Sequence, residues 1–167
     1  MPKRNSIVCV AIQVNLSPVD ATWLACALDT EGWVCFHRQY RRGDEQYFSP
    51  FIGVGNTDTR FIDKVRSLTP GIAWNTIVRL PVGIHRKTMY QLRTDRTGAI
   101  RGVLEAVLPY LIIKREKAEA MLKWITIRSQ SNSLRRPHSV EEMNFINLVR
   151  DLNFPHKQKS TGDEVTG

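Results

Sequence analysis

The chain has 167 residues, 42% of them apolar and 24% charged, enough for one domain with a sizeable core. This composition excludes a wholly disordered, collagen-like or coiled-coil chain. With 24 Lys plus Arg against 16 Asp plus Glu, the net charge is +8, which points to a polyanionic partner, most commonly nucleic acid.

Three cysteines (Cys9, Cys26, Cys35) offer no paired framework and no C-x-x-C spacing, and the four histidines (His37, His85, His138, His156) are scattered. A disulfide-stapled secreted fold and a structural zinc site are therefore not expected. The apolar run at 7–12 is about a third of a membrane span. No small-x-small cleavage site follows it, so residues 1–16 read as an extended arm and the protein as soluble and intracellular, with no membrane partner.

Ser17-Pro18-Val19-Asp20 writes a helix start. Ser17 is the cap, Pro18 takes the first helical position, and Asp20 stands where a capping box wants its reciprocal acceptor. The helix passes through Ala21, Trp23, Leu24, Ala27 and Leu28 and stops at Gly32, a C-terminal glycine. Residues 33–41 and 47–54 are rich in aromatic and β-branched side chains and read as a hairpin around Gly43-Asp44. Phe61, Ile62, Val65 and Leu68 repeat at helical spacing within 57–68, and Pro70-Gly71 breaks that helix. Residues 75–80 and 87–94 form a second expected hairpin through Pro81-Val82-Gly83.

A further helix carries Val103, Leu104, Val107, Leu108 and Leu111, with Pro109 kinking or ending it. The next starts near Lys114 and buries Ala118, Met121, Leu122 and Ile125. Ser139-Val140-Glu141-Glu142 is a capping box opening a last helix through Phe145, Leu148, Val149 and Leu152. The order is αββαββα plus two extra C-terminal helices. It predicts one α+β domain over 1–154: an antiparallel, saddle-shaped sheet with helices on one face and the other face open to a partner. Residues 155–167 read as a disordered tail.

Between residues 37 and 96 there are 11 Lys or Arg and 5 acids, so most of the positive excess lies on the two hairpins. Strand alternation sets Asn75, Ile77 and Arg79 on one face, and likewise Lys87, Met89, Gln91 and Arg93. Arg, Lys, Gln and Asn hold phosphates and read base edges, and a two-stranded ribbon fits the major groove. The candidate contacts to double-stranded DNA are His37, Gln39, Arg41, Arg42, Gln46, Tyr47 and Ser49 on the first hairpin. On the second they are Asn75, Arg79, Lys87, Gln91 and Arg93.

Asp29 and Glu31 stand in the last turn of the first helix. That end carries partial negative charge, so each acid costs about 0.3–1 kcal/mol there. A divalent cation would offset both, and Mg²⁺ typically uses one or two carboxylates plus phosphates and water. Two hydrated acids on a surface helix end are the simpler alternative.

Leu24-Ala25-Cys26-Ala27-Leu28-Asp29-Thr30-Glu31-Gly32 resembles the signature helix of LAGLIDADG homing endonucleases. Phe51-Ile52-Gly53-Val54-Gly55-Asn56-Thr57-Asp58 resembles the end of that family's second strand and the start of its next helix. Leu108-Pro109-Tyr110-Leu111-Ile112-Ile113-Lys114, followed by Lys117 and Ala118, resembles its late segment. The resemblance covers roughly residues 19–125 and implies the same αββαββα fold. It implies that Glu31 is the metal-binding acid, with the Thr30 backbone carbonyl also facing the metal. It further implies that Lys114 is the active-site lysine and that Asn56 positions a water, so that Glu31, Lys114 and Asn56 form the catalytic set.

A single signature motif implies a homodimer whose signature helices pack together. Leu24, Ala25, Cys26, Leu28 and Asp29 would then lie at the interface, and two copies of Glu31 would meet beneath the DNA. Cys26 stands where the family usually has glycine, and Thr30 replaces a small residue; both bear on helix approach and metal spacing. The implied activity is site-specific cutting of both strands at a long, near-palindromic target with Mg²⁺, Mn²⁺ or Ca²⁺ substituting for binding. Two metals can activate water, clamp the phosphate and assist the leaving oxygen. A lysine near a helix start is misplaced for the dipole but suits a phosphorane-like charge. The alternative is a non-cleaving nucleic-acid-binding relative such as an intron maturase.

Overall fold

The computed structural model describes residues 12–40, 46–82, 87–130 and 136–154. The expected tail at 155–167, residues 1–11 of the arm, and Arg41 and Arg42 lie outside the described residues.

The elements in chain order are α1 (Pro18–Glu31), β1 (Gly32–Tyr40), β2 (Gln46–Asn56), α2 (Thr59–Leu68), β3 (Asn75–Arg79) and β4 (Met89–Thr94). They are followed by α3 (Thr97–Val107), a 3-10 turn (Leu108–Tyr110), α4 (Arg115–Ser129) and α5 (Val140–Asn153). The domain is α+β, as expected. Its four strands lie in the order β1-β2-β4-β3, every neighbouring pair antiparallel. Val34, Phe36, Phe48, Ile52, Val54 and Leu92 point from one sheet face into a core shared with Leu24, Leu28, Ile100, Leu104, Met121 and Trp124 of the helices. The alternate strand positions face outward. Among the described residues no helix is long and apolar enough to cross a membrane.

Local chemistry explains most boundaries. Pro109 stops α3 at Val107 and leaves a 3-10 turn. At Ser139 the capping box is complete: Glu142 Oε2 accepts the Ser139 N–H at 2.7 Å, and Ser139 Oγ accepts the Glu142 N–H at 3.2 Å. At Ser17 the expected box is one-sided. Ser17 Oγ accepts the Asp20 N–H at 3.2 Å, but the Asp20 carboxylate takes the Ser17 hydroxyl at 2.8 Å, not its N–H. Aspartate is one methylene shorter than the glutamate that usually reaches back.

Gly32 also departs from expectation. Its φ of −104° and ψ of 175° are extended, not left-handed. Glycine is required there by space, because a Cβ would lie 2.6 Å from the Leu28 carbonyl oxygen. The helix therefore passes into β1 without an intervening turn. The described part of the arm alternates: Ile12, Val14 and Leu16 pack on the core, and Ile12 N–H donates to the Gly98 carbonyl at 3.2 Å.

Candidate active site and nucleic-acid interface

The two acids at the end of α1 have different fates. Asp29 is only 9% exposed. Its Oδ2 accepts the N–H groups of Ile112 at 2.8 Å and Ile113 at 3.2 Å, and its Oδ1 accepts the N–H of Lys114 at 2.8 Å. Those donors form the entry to α4, whose N-cap is Lys114. Asp29 is thus at the unfavourable end of its own helix and the favourable end of another.

Glu31 is exposed at the last helical position, and among the described residues its carboxylate has no hydrogen bond or ion pair. The Lys114 ammonium donates to the Asp29 main-chain carbonyl at the negative end of α1. Burial pulls the Lys114 pKa below its ordinary value; Asp29, and less strongly Glu31, oppose that shift. The structure therefore brings Glu31 and Lys114 together across α1 and the α4 entry.

Asn56 ends β2, two residues past Val54, the register partner of Gly32. Its Oδ1 accepts the Asp58 N–H at 2.9 Å and shapes the turn into α2, whose N-cap is Asp58. One lone pair of that oxygen serves the turn, which leaves its second lone pair and the amide NH₂ for the water-positioning role expected of Asn56. The Thr30 hydroxyl donates to the Cys26 carbonyl at 2.9 Å.

The expected helix-pairing face requires correction. Leu24, Ala25 and Leu28 are 2%, 0% and 3% exposed and fill this chain's own core, and Asp29 is spent on the α4 entry. Of the five expected interface residues only Cys26 is exposed, in line with exposed Thr22 and Thr30. The apolar side of α1 packs on its own sheet, so the strip open to a second copy is the small polar one.

The register of the sheet gathers the expected DNA contacts. Trp33, Gly53, Arg93 and Asn75 form one row across all four strands. Gly55, Gln91 and Ile77 form a parallel row, followed by Met89 with Arg79. Toward the first hairpin's tip the pairs are Cys35 with Phe51, His37 with Ser49 and Gln39 with Tyr47. No Asp or Glu occurs at any of these positions. Eight of the expected contacts (His37, Gln39, Tyr47, Ser49, Asn75, Arg79, Gln91 and Arg93) therefore stand at open-face register positions, with the Tyr47 ring engaged by His138.

Several of these side chains are already oriented. Gln39 Nε2 donates to Ser49 Oγ at 3.2 Å, and Arg79 Nε donates to Gln91 Oε1 at 3.2 Å. The Arg93 guanidinium lies 3.9 Å from the Phe51 ring centroid. Exposed Lys87 stands just outside β4 and lines a cavity of about 680 Å³ with Arg79, Met89 and Gln91. The Gln46 side chain lies outside the described residues.

Two groups escaped the sequence reading. His138 Nε2 accepts the Phe48 N–H at 3.0 Å, on a stretch of β2 that β4 does not reach, and its ring stacks on Tyr47 at 5.3 Å. Behind it, fully buried Glu142 pairs with Arg128 at 3.3 Å and Arg136 at 2.8 Å. Asn153 bridges Lys117 at 2.7 Å to the Val34 carbonyl at 3.1 Å, fastening α5 to the edge of β1. The partners of His138 and Asn153 are separated by 36 to 119 residues, a range no periodicity spans.

The chain's own donor set for a metal is small. Among the described residues no three His, Cys, Asp or Glu cluster as a metal cage. One free carboxylate suits an ion that completes its shell with phosphates and water, as Mg²⁺ does, and does not suit a protein-only site.

No protein-family model matches the chain, and no curated protein matches it. Solved structures do. The homing endonuclease I-CvuI, in complex with the I-CreI target in the presence of 2 mM Mg and with its DNA not cleaved, gives a TM-score of 0.52 at 15% identity. That likeness covers 81% of this chain and 95% of I-CvuI. I-SmaMI, a LAGLIDADG homing endonuclease bound to cleaved DNA, gives 0.52 at 11% identity over 93% of this chain and 53% of its own. I-SmaMI bound to uncleaveable DNA gives 0.57 at 15% identity, over 81% and 45%. This chain thus spans nearly all of I-CvuI but about half of I-SmaMI, and its fold is that of the LAGLIDADG homing endonucleases.

Proposed function

We propose that the chain is a site-specific double-strand DNA endonuclease that acts as a homodimer with Mg²⁺. The observation that carries this reading is the unengaged Glu31 carboxylate beside Lys114, two residues before Trp33 begins an acid-free face of Arg, Gln, Asn and His side chains. The I-CvuI and I-SmaMI complexes with DNA support the same assignment. One free carboxylate at the end of α1 in each chain is what a site shared between two copies needs.

The open face holds the duplex, its cations meeting phosphates and its amides meeting base edges. Glu31, with the Thr30 carbonyl, would hold the Mg²⁺. When bound, the ion lowers the pKa of its water and neutralises charge at the scissile phosphate. Lys114 places a positive charge at the same end, where charge develops in the transition state. Asp29 fixes the α4 entry, and so fixes where the Lys114 side chain starts.

The test is a plasmid library of randomised sites incubated with the full chain at low salt. Mg²⁺-dependent linear products, absent with a chelator and with Glu31→Gln while Glu31→Gln still binds, are the expected result. Binding without cutting at any Mg²⁺ concentration would replace this reading with a non-cleaving, maturase-like one. Absence of binding to both duplex DNA and RNA would overturn both.

A further inference from the structure

We propose that a hollow in the open sheet face is a pocket for the 5-methyl group of a pyrimidine, which makes it a thymine-selecting position in the DNA target. The inference rests on the DNA-binding reading and names what one part of that face recognises.

The hollow has a volume of about 290 Å³. Its apolar wall is Trp33, Cys35, Phe51 and Ile77, all half-buried. Trp33 can lie over β2 because the strand gives up two side chains beneath it. A Cβ at Gly53 would stand 2.5 Å from Trp33 Cζ2, and one at Gly55 would stand 3.4 Å from Trp33 Cζ3. Glycine weakens a strand interior, so this clearance has a cost that the core, on the opposite face, does not recover. The indole N–H is covered and finds no acceptor among the described residues. The ring is therefore placed by packing, as an apolar surface.

Arg93 and Arg79 stand at the rim, the first over the Phe51 ring and the second bonded to Gln91. Such groups suit phosphates and polar base edges. The apolar wall between them suits neither. The one apolar group that a base edge offers in the major groove is the C5 methyl of thymine. A two-stranded ribbon such as β3–β4 enters that groove. 5-Methylcytosine carries the same methyl, so the two sources must be separated by experiment.

A consensus duplex would be selected with the full chain from a randomised library without divalent metal, then resynthesised with single thymines replaced by uracil. At one or two positions the replacement should weaken binding about fourfold, the value of one buried methyl-sized group. Cytosine and 5-methylcytosine at those positions should then show whether the methyl acts without thymine's O4. The thymine-to-uracil ratio should fall toward one in Ile77→Ala, and independently in Phe51→Ala, each assayed as folded protein by circular dichroism. A ratio of one at every position, or a ratio that both variants leave unchanged, would overturn the pocket. Failure to select any duplex would instead overturn the DNA-binding reading on which it rests.

Discussion

Asp29 and Lys114 hold each other twice. The Asp29 carboxylate accepts the Lys114 main-chain N–H at 2.8 Å, and the Lys114 ammonium donates back to the Asp29 main-chain carbonyl. One link fixes the backbone of the α4 entry and the other fixes the amine. Asp29→Asn keeps the shape but replaces a carboxylate serving three N–H donors with a neutral amide. Hydrogen bonds to a charged group contribute about 1.5–3 kcal/mol, so a loss near 2 kcal/mol is expected. For a chain of this size that lowers the unfolding midpoint by about 4–8 °C. Glu31→Gln should leave the midpoint unchanged or slightly raised, because it removes a helix-end penalty and breaks no bond. Thermal unfolding of the two variants side by side reads the difference; equal losses would contradict the division of labour between the two acids.

Lys114 should leave its mark on the alkaline side of a pH profile. Burial favours the neutral amine, so the ammonium gives up its proton at a lower pH than an exposed lysine would. If the positive charge is what assists cleavage, the rate declines as pH rises through that lowered pKa. Lys114→Arg, which stays charged, should remove the alkaline decline even where it lowers the rate. A decline that survives in the arginine variant would assign it to another group.

The sequence carried the fold because its local signals agreed. Caps at Ser17 and Ser139, breaks at Pro70-Gly71 and Pro109, and alternation in the hairpins all lie within a few residues of what they control. The open-face contacts were legible for the same reason, since alternation and antiparallel register align them. The packing side of α1 was not. Its Leu and Ala residues would serve equally against the chain's own sheet or a second copy, and periodicity does not say which surface is opposite. The turn that the Asn56 oxygen closes was equally hidden, because spacing does not show which backbone group a side chain will bond. His138 was invisible because Phe48 is 90 residues away.

His138 predicts an acid weakness in the first hairpin. Its Nε2 accepts the Phe48 N–H, an arrangement open only to the unprotonated nitrogen. Burial, and then the nearby Arg128, hold its pKa below the ordinary 6.5, with Glu142 opposing. The unfolded chain therefore binds the extra proton first. The contribution is complete above about pH 6.5 and is lost as pH falls from there through the lowered folded value. The unfolding midpoint should drop between pH 7 and pH 5, flanking that 6.5 onset. His138→Gln, which keeps an acceptor for Phe48 but does not titrate there, should flatten the drop. An unchanged pH slope in that variant would remove His138 from the account.

Arg93 offers the cleanest electrostatic test of the open face. It stands in the row joining Trp33, Gly53 and Asn75, with its guanidinium carbon 3.9 Å from the Phe51 ring centroid. No Asp or Glu stands at the described positions of that face to neutralise it. If its charge meets a phosphate, Arg93→Ala weakens all duplexes by a similar factor and lowers the slope of log affinity against log salt by about 0.9. If it reads a base instead, the slope stays and discrimination relaxes at one position by about 1–3 kcal/mol. The contact with Phe51 holds the guanidinium at the rim of the hollow, beside Gln91, and the second outcome is expected. Titrations of parent and variant over a range of salt, with the selected duplex and one carrying a single changed base pair, separate the two. A change in slope with discrimination intact would reassign Arg93 to the backbone.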